Sequence, residues 1–150
     1  MCIRDRQRAI KKNPQKIWKH LAKWYEFAET SKGLASCTEL ITNNDKIALN
    51  LEEYLLSKGR TKEIDKALKE FEIFLKETKL LTKNIIPHNL AVKEDDYGLT
   101  LKIIDGLGSM SFIPLPEISN ALANRYIKRR IELMYLRIDW DLSGRKGSWK

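Results

Sequence analysis

Three side chains near the middle of the chain have the types and spacing that phosphoryl transfer uses. Asn84 and Asn89 stand five residues apart in LLTKNIIPHNLAV, and Asp105 closes the run LKIID. In enzymes that move a phosphoryl group, a loop presents a carboxylate base to the acceptor hydroxyl. An Asn at this same spacing and an Asp at the end of a paired strand then hold the magnesium ions that bridge the nucleotide phosphates. Amide and carboxylate oxygens are the hard ligands magnesium takes. Here the base position holds Asn84, preceded by Thr82 and Lys83 where His and Arg would stand. An amide does not accept a proton at neutral pH, so general-base catalysis at this position is lost. Asn89 and Asp105 retain metal-binding chemistry. The same two residues also read as a turn residue and a strand-end cap, and the spacing alone does not choose.

Those residues need a helix, a loop and a hairpin to bring them together, and the chain supplies that order. Ile64, Ala67, Leu68, Phe71, Phe74, Leu75 and Thr78 recur at three and four residues, which predicts an amphipathic helix capped by Thr61 and running to about Lys79. A proline-bearing loop follows. LAVK and YGLTLKIID then alternate around the turn EDDYG, which predicts a hairpin. Upstream, Asn50 followed by Glu53 predicts a capped short helix over LEEYLLSK, ended at Gly59. Ile17, Trp18 and Leu21 suit a short helix or turn. KWYEFAET and LASCTELIT flank the turn residues SKG as a second hairpin, with Asn43–Lys46 as a loop. Downstream, Pro114 and Pro116 precede a long helical pattern through Ile118, Leu122, Ile127, Ile131, Met134, Tyr135 and Ile138. The resulting class is α+β.

Composition narrows the function classes. At 150 residues, with 43% hydrophobic and 32% charged residues, the chain suits a soluble globular protein. No apolar run reaches the roughly 18 residues that span a bilayer, so no membrane insertion is expected. The basic start MCIRDRQRAIKKNPQK has no apolar core and is not a secretory signal, which places the protein in the cytoplasm. The net charge of +8 favours anionic partners, but most Lys residues interleave with Glu as on a solvated helix face. The basic run RYIKRR reads the same way, with a partner-binding or phosphate-facing role as the alternative. No nucleic-acid motif accompanies the basic clusters, so no specific nucleic-acid partner is expected. Cys2, Cys37, His20 and His88 are too scattered for a structural metal. His88 reads as a polar loop residue and His20 as a surface or interface residue. Trp18, Trp24 and the Phe71/Phe74 pair read as core.

The segments WYEFAETSKG, LNLEEYL, LLTKNIIPHNLAV, LKIIDGLGSMSFIPL and NRYIKRRIELM, in that order across roughly residues 18–138, resemble the YrbL family of PhoP-regulated proteins. PHNLAV and IIDGLGSMSFIPL are the most specific of these. The resemblance implies a protein-kinase-like fold with a substituted catalytic loop, and Asn84 fits that habit. It also implies that Asn89 and Asp105 are the metal-binding positions, and that Glu39, Leu40 and Ile41 form the hinge whose backbone meets an adenine.

Magnesium and ATP are the implied cofactors, with weak binding expected, because the nucleotide-covering strands and Lys of the amino-terminal lobe would precede residue 1. The chain then divides into a basic lead-in (1–13), a remnant of the amino-terminal sheet with the hinge (14–45), a helical carboxy-terminal lobe (46–140) and a frayed tail (141–150). Trp18, Trp24 and Phe27 would lie on the surface left by the absent strands. The function implied is a pseudokinase-type regulatory protein with a regulatory protein partner. An atypical phosphotransferase and a non-catalytic adaptor are the alternatives.

Overall fold

A computed structural model of the chain describes residues 16–107 and 119–148. The basic lead-in and the Pro114–Pro116 turn lie outside these residues, apart from which the element order follows the sequence pattern closely. A one-turn helix α1 (Ile17–His20) leads into the antiparallel pair β1 (Trp24–Thr30) and β2 (Gly33–Thr38). A short pair, β3 (Thr42–Asn43) and β4 (Lys46–Ile47), precedes helices α2 (Leu51–Lys58) and α3 (Lys62–Thr78). A 3₁₀ turn at Pro87–Asn89 opens the hairpin β5 (Leu90–Asp95) and β6 (Gly98–Ile103), and α4 (Asn120–Leu142) completes the described residues. Helices and small two-stranded sheets thus make a mixed α+β fold.

The two central helices begin where their caps dictate. The Asn50 side chain accepts the Glu53 N–H at 2.9 Å, and the Glu53 carboxylate accepts the Asn50 N–H at 3.1 Å, a reciprocal box that satisfies two donors at the start of α2. Thr61 Oγ1 accepts the Ile64 N–H at 3.3 Å to start α3. Both α3 and the β5–β6 hairpin turn their apolar residues to one core. Phe71, Leu68 and Leu75 of α3 meet Leu90, Val92, Leu101 and Ile103 of the hairpin, with Ile127, Ile131, Met134 and Ile138 of α4 closing the other side. The opposite face of β5 contributes Ala91 to a smaller cluster with Ala22 and Ile41.

Four local expectations are corrected. His20 is buried rather than exposed: its Nδ1 lies 2.8 Å from the Leu101 carbonyl, and its ring lies 4.6 Å from Phe74 and 5.6 Å from Phe71. Burial lowers its pKa to about 4, because the charged imidazolium would lose its water. Asn43–Lys46, expected as a loop, forms the β3–β4 pair, with Asn44 and Asp45 both at positive φ in its two-residue turn. Trp18 packs against the core, and Trp24 and Phe27 are half-buried against one another at 5.4 Å; the exposed large side chains of this hairpin are Tyr25 and Leu34. At the other end, α4 runs through Leu142, and Asp141, expected in a frayed tail, is buried between Arg137 and Arg145.

Candidate functional site

Ile85, Ile86 and Pro87 sink into the protein, so the loop they occupy is anchored and Asn84 is left exposed at its rim. On the far side of this loop, Asn89 N–H closes the 3₁₀ turn on the Ile86 carbonyl at 2.9 Å. Its side-chain Nδ2–H donates to the Asn84 carbonyl at 2.9 Å, spanning the loop. That bond fixes the amide and leaves its oxygen as the acceptor facing away from Asn84.

The strand that ends at Asp105 is laced to the same loop. The Asn89 carbonyl accepts the Ile104 N–H at 3.0 Å, and the Gly106 carbonyl accepts the Lys83 N–H at 2.6 Å. Thr82 and Leu107 form an antiparallel bridge just beyond. Asp105 is therefore held between two residues that each bond this loop. One of its carboxylate oxygens accepts the Gly106 N–H at 2.7 Å. Gly106 has φ +90°, and a Cβ there would stand 2.5 Å from the Asn84 carbonyl oxygen and 3.2 Å from Asn89 Nδ2. Only glycine permits this approach. The structure thus brings Asn84, Asn89 and the Asp105–Gly106 corner to one rim.

The proposed hinge residues do not join them by any hydrogen bond or ion pair among the described residues. They are fastened instead to the strands that carry the site. Ile41 packs in the small cluster with Ala91, two residues after Asn89. Glu39 accepts the Lys23 N–H at 2.9 Å and lies 3.5 Å from Lys102 Nζ on β6. The Ile41 carbonyl is taken by the Ala48 N–H at 2.8 Å, and Leu40 between them is exposed.

Several residues around the site were missed by sequence reasoning. Tyr126 of α4 donates its hydroxyl to the Thr82 carbonyl at 3.0 Å, bracing the base of the loop. Glu52 of α2 lies 3.8 Å from His88, 3.9 Å from Arg137 and in contact with Arg145. Both arginines also grip Asp141, at 3.1 and 3.2 Å. The carboxylates and arginines of this cluster tie α2 to the end of α4. Nothing local in the sequence pairs residues so far apart. Gly106 was visible as an Asp-Gly pair at a strand end, although the close approach that requires it was not.

The oxygen donors at this rim belong to Asn89 and Asp105. Among the described residues no group of three His, Cys, Asp or Glu side chains could hold a metal. Magnesium, however, binds through one or two protein oxygens and keeps several waters.

A helical lobe bearing a loop, a hairpin and an Asp-Gly corner defines a protein of the kinase-like class. Within that class the chain belongs to a family: the model for PhoP regulatory network protein YrbL matches residues 4–139. Among solved structures, two double-mutant forms of the PknI kinase domain of Mycobacterium tuberculosis are similar in fold. One matches at 14% identity and TM-score 0.54, covering 93% of this chain and 58% of that domain. The other matches at 13% identity and TM-score 0.53, covering 93% and 60%. The chain therefore spans less than two-thirds of the kinase domains it resembles. No curated protein matches it. No described helix is long and apolar enough to cross a membrane.

Proposed function

We propose that this protein is a pseudokinase-type regulator: its kinase-like site holds magnesium and a nucleotide as a signal and does not transfer phosphate. The observation that carries this reading is the rim itself. An amide occupies the base position, while the oxygens of Asn89 and Asp105 remain set on a glycine-dependent corner. Bound magnesium would neutralise the phosphate charge. Asn89 and Asp105 would hold it, and the backbone of Glu39–Ile41 would meet the base. Asn84 has no proton-accepting group to activate an acceptor hydroxyl. The regulatory partner would then read the nucleotide-bound state.

Calorimetric titration of this chain with magnesium and a non-hydrolysable ATP analogue tests this. Weak, magnesium-dependent binding that Asp105→Ala and Asn89→Ala both abolish is expected, with no metal-dependent phosphorylation of protein acceptors. Robust transfer abolished by Asp105→Ala would overturn the pseudokinase reading. Binding indifferent to both substitutions, or no binding at all, would overturn the site.

A further inference from the structure

Helix α1 is a single turn with no side-chain cap at its start, so it has little stability of its own and depends on what it is packed against. Ile17 and Leu21 are fully buried. Leu21 bridges Ile103, and the Ala22 N–H donates to the Ile103 carbonyl at 3.0 Å. Lys102 Nζ donates to the Trp18 carbonyl at 3.0 Å and lies 3.5 Å from Glu39. Ala22 packs with Ile41. The α1 segment therefore fastens residues 39–41 to β6.

His20 sits within that attachment and is 2% exposed. A carbonyl only accepts, so Nδ1, 2.8 Å from the Leu101 carbonyl, carries the proton of the neutral ring. Nε2 has no hydrogen-bond partner among the described residues, and the ring lies against Phe71 and Phe74. A second proton goes to Nε2, where it meets neither water nor an acceptor. The surrounding charges offer no compensation. Lys19 of α1 and Lys102 of β6 are cations, and Glu70 of α3 is taken by Lys19 at 3.1 Å. Lys16 and Glu77, both exposed, pair with each other at 3.5 Å. Out of its seat, the imidazole regains water and takes the proton readily. Seating and protonation therefore oppose each other.

We infer that His20 is an acid-sensitive latch: its protonation releases α1 and the residues after it from β6, and with them residues 39–41, while α2, α3, α4 and β5–β6 stay packed. The elements that stay have one another, because Leu55, Phe71, Leu75, Leu90, Leu101 and Ile131 share one core. The folded pKa is lowered from 6.5 to about 4, mainly by burial. The neutral ring's contribution is thus complete above pH 6.5 and is lost as pH falls towards 4. Acid also weakens nucleotide binding where the backbone of residues 39–41 meets the base, a consequence that rests on the function proposed above.

Native-state amide exchange on the intact chain tests the latch, with the Ala22 amide as reporter. At pH 7.5 Ala22 should be less protected than the Phe71 and Leu75 amides of α3 by about tenfold or more, because it opens without global unfolding. Between pH 7.5 and 5 its opening equilibrium should rise about thirtyfold after correction for intrinsic exchange. His20→Gln offers Leu101 an amide N–H, and His20→Phe fills the apolar seat. Neither side chain titrates, and both substitutions should abolish the rise, with circular dichroism checking the fold. Equal protection of Ala22 and α3 at pH 7.5 would overturn the inference, because α1 would then leave only when the whole chain unfolds. No rise in the unsubstituted chain, or the same rise in either folded variant, would also overturn it. Ala22 exchange is read without nucleotide, so failure of the latch is distinct from failure of nucleotide binding.

Discussion

Among the described residues, two antiparallel hairpins with strands of six or seven residues have similar two-residue turns and opposite tertiary fates. In β5–β6, Leu90, Val92, Leu101 and Ile103 enter the main core, and Ala91 enters the smaller cluster on the other face. In β1–β2 no residue is fully buried, Leu34 is 69% exposed, and the ties are local: Trp24 against Phe27, and the Trp24 indole N–H on Ser36. Pairing along a strand is thus set by alternation and turn chemistry, whereas stability depends on what covers the sheet. The hairpin covered on both faces is the one that presents Asn89 and Asp105 at its ends. A site built on it inherits the rigidity of the core.

The largest contrast should appear in amide exchange. Opening free energies within one protein range from near zero to the global value of about 5–15 kcal/mol. Amides of β5–β6 and of residues 64–78 in α3 should exchange slowly, at rates close to global unfolding, and those of β1–β2 fast. Equal protection of the two hairpins would break the comparison.

Matched leucine truncations sharpen it. Leu101→Ala removes a fully buried side chain and should cost about 3 kcal/mol in urea unfolding. Leu34→Ala, on the exposed hairpin, should stay within about 0.5 kcal/mol. Similar losses at both positions would show that the β1–β2 hairpin is buttressed after all.

His20 offers a pH version of the same contrast, because it is buried against β6. Its folded pKa, about 4, lies below the ordinary value of 6.5. The unfolded chain therefore binds a proton more readily, and the stability contributed by the neutral imidazole is complete above pH 6.5. It is lost as pH falls towards 4, reaching about 2 kcal/mol by pH 5. His20→Gln should flatten the unfolding profile between pH 6.5 and 5, before carboxylates titrate. An unchanged slope would mean that His20 is hydrated in the folded state.

The smallest effect is expected at the corner that β6 feeds. Gly106→Ala forces a side chain into a backbone conformation with φ +90° and against the Asn84 carbonyl, and should cost about 1–2 kcal/mol. The loss should be concentrated in exchange of the Lys83 and Asn89 amides, and magnesium-dependent nucleotide binding should fall with it. The corresponding Gly33→Ala in the β1–β2 turn, also at positive φ but with open space around the Cβ, should leave the site unchanged.

Much of the local structure was legible in the residues alone. The caps at Asn50 and Thr61, the apolar period of α3 and both hairpins are local signals, decided by neighbours within a few positions. The spacing of Asn84 and Asn89 and the Asp-Gly pair were legible for the same reason. His20 was misread because its partners, Leu101, Phe71 and Phe74, lie far along the chain, and an isolated histidine carries no mark of its burial. Asn43–Lys46 was read as a loop because strands of two residues leave too little alternation to detect.

By itself, then, the sequence determined most of the elements, their caps and turns, the amide at position 84 and the family pattern. Those depend on residue type and short-range spacing, which a linear chain displays directly. Tertiary structure alone decided which hairpin is covered, that Gly106 must admit the Asn84 carbonyl, and that Glu52, Arg137, Asp141 and Arg145 join α2 to the last helix. Each of these is a choice of partner between residues distant in sequence, and it is settled only when the packed chain fixes which surfaces lose their water.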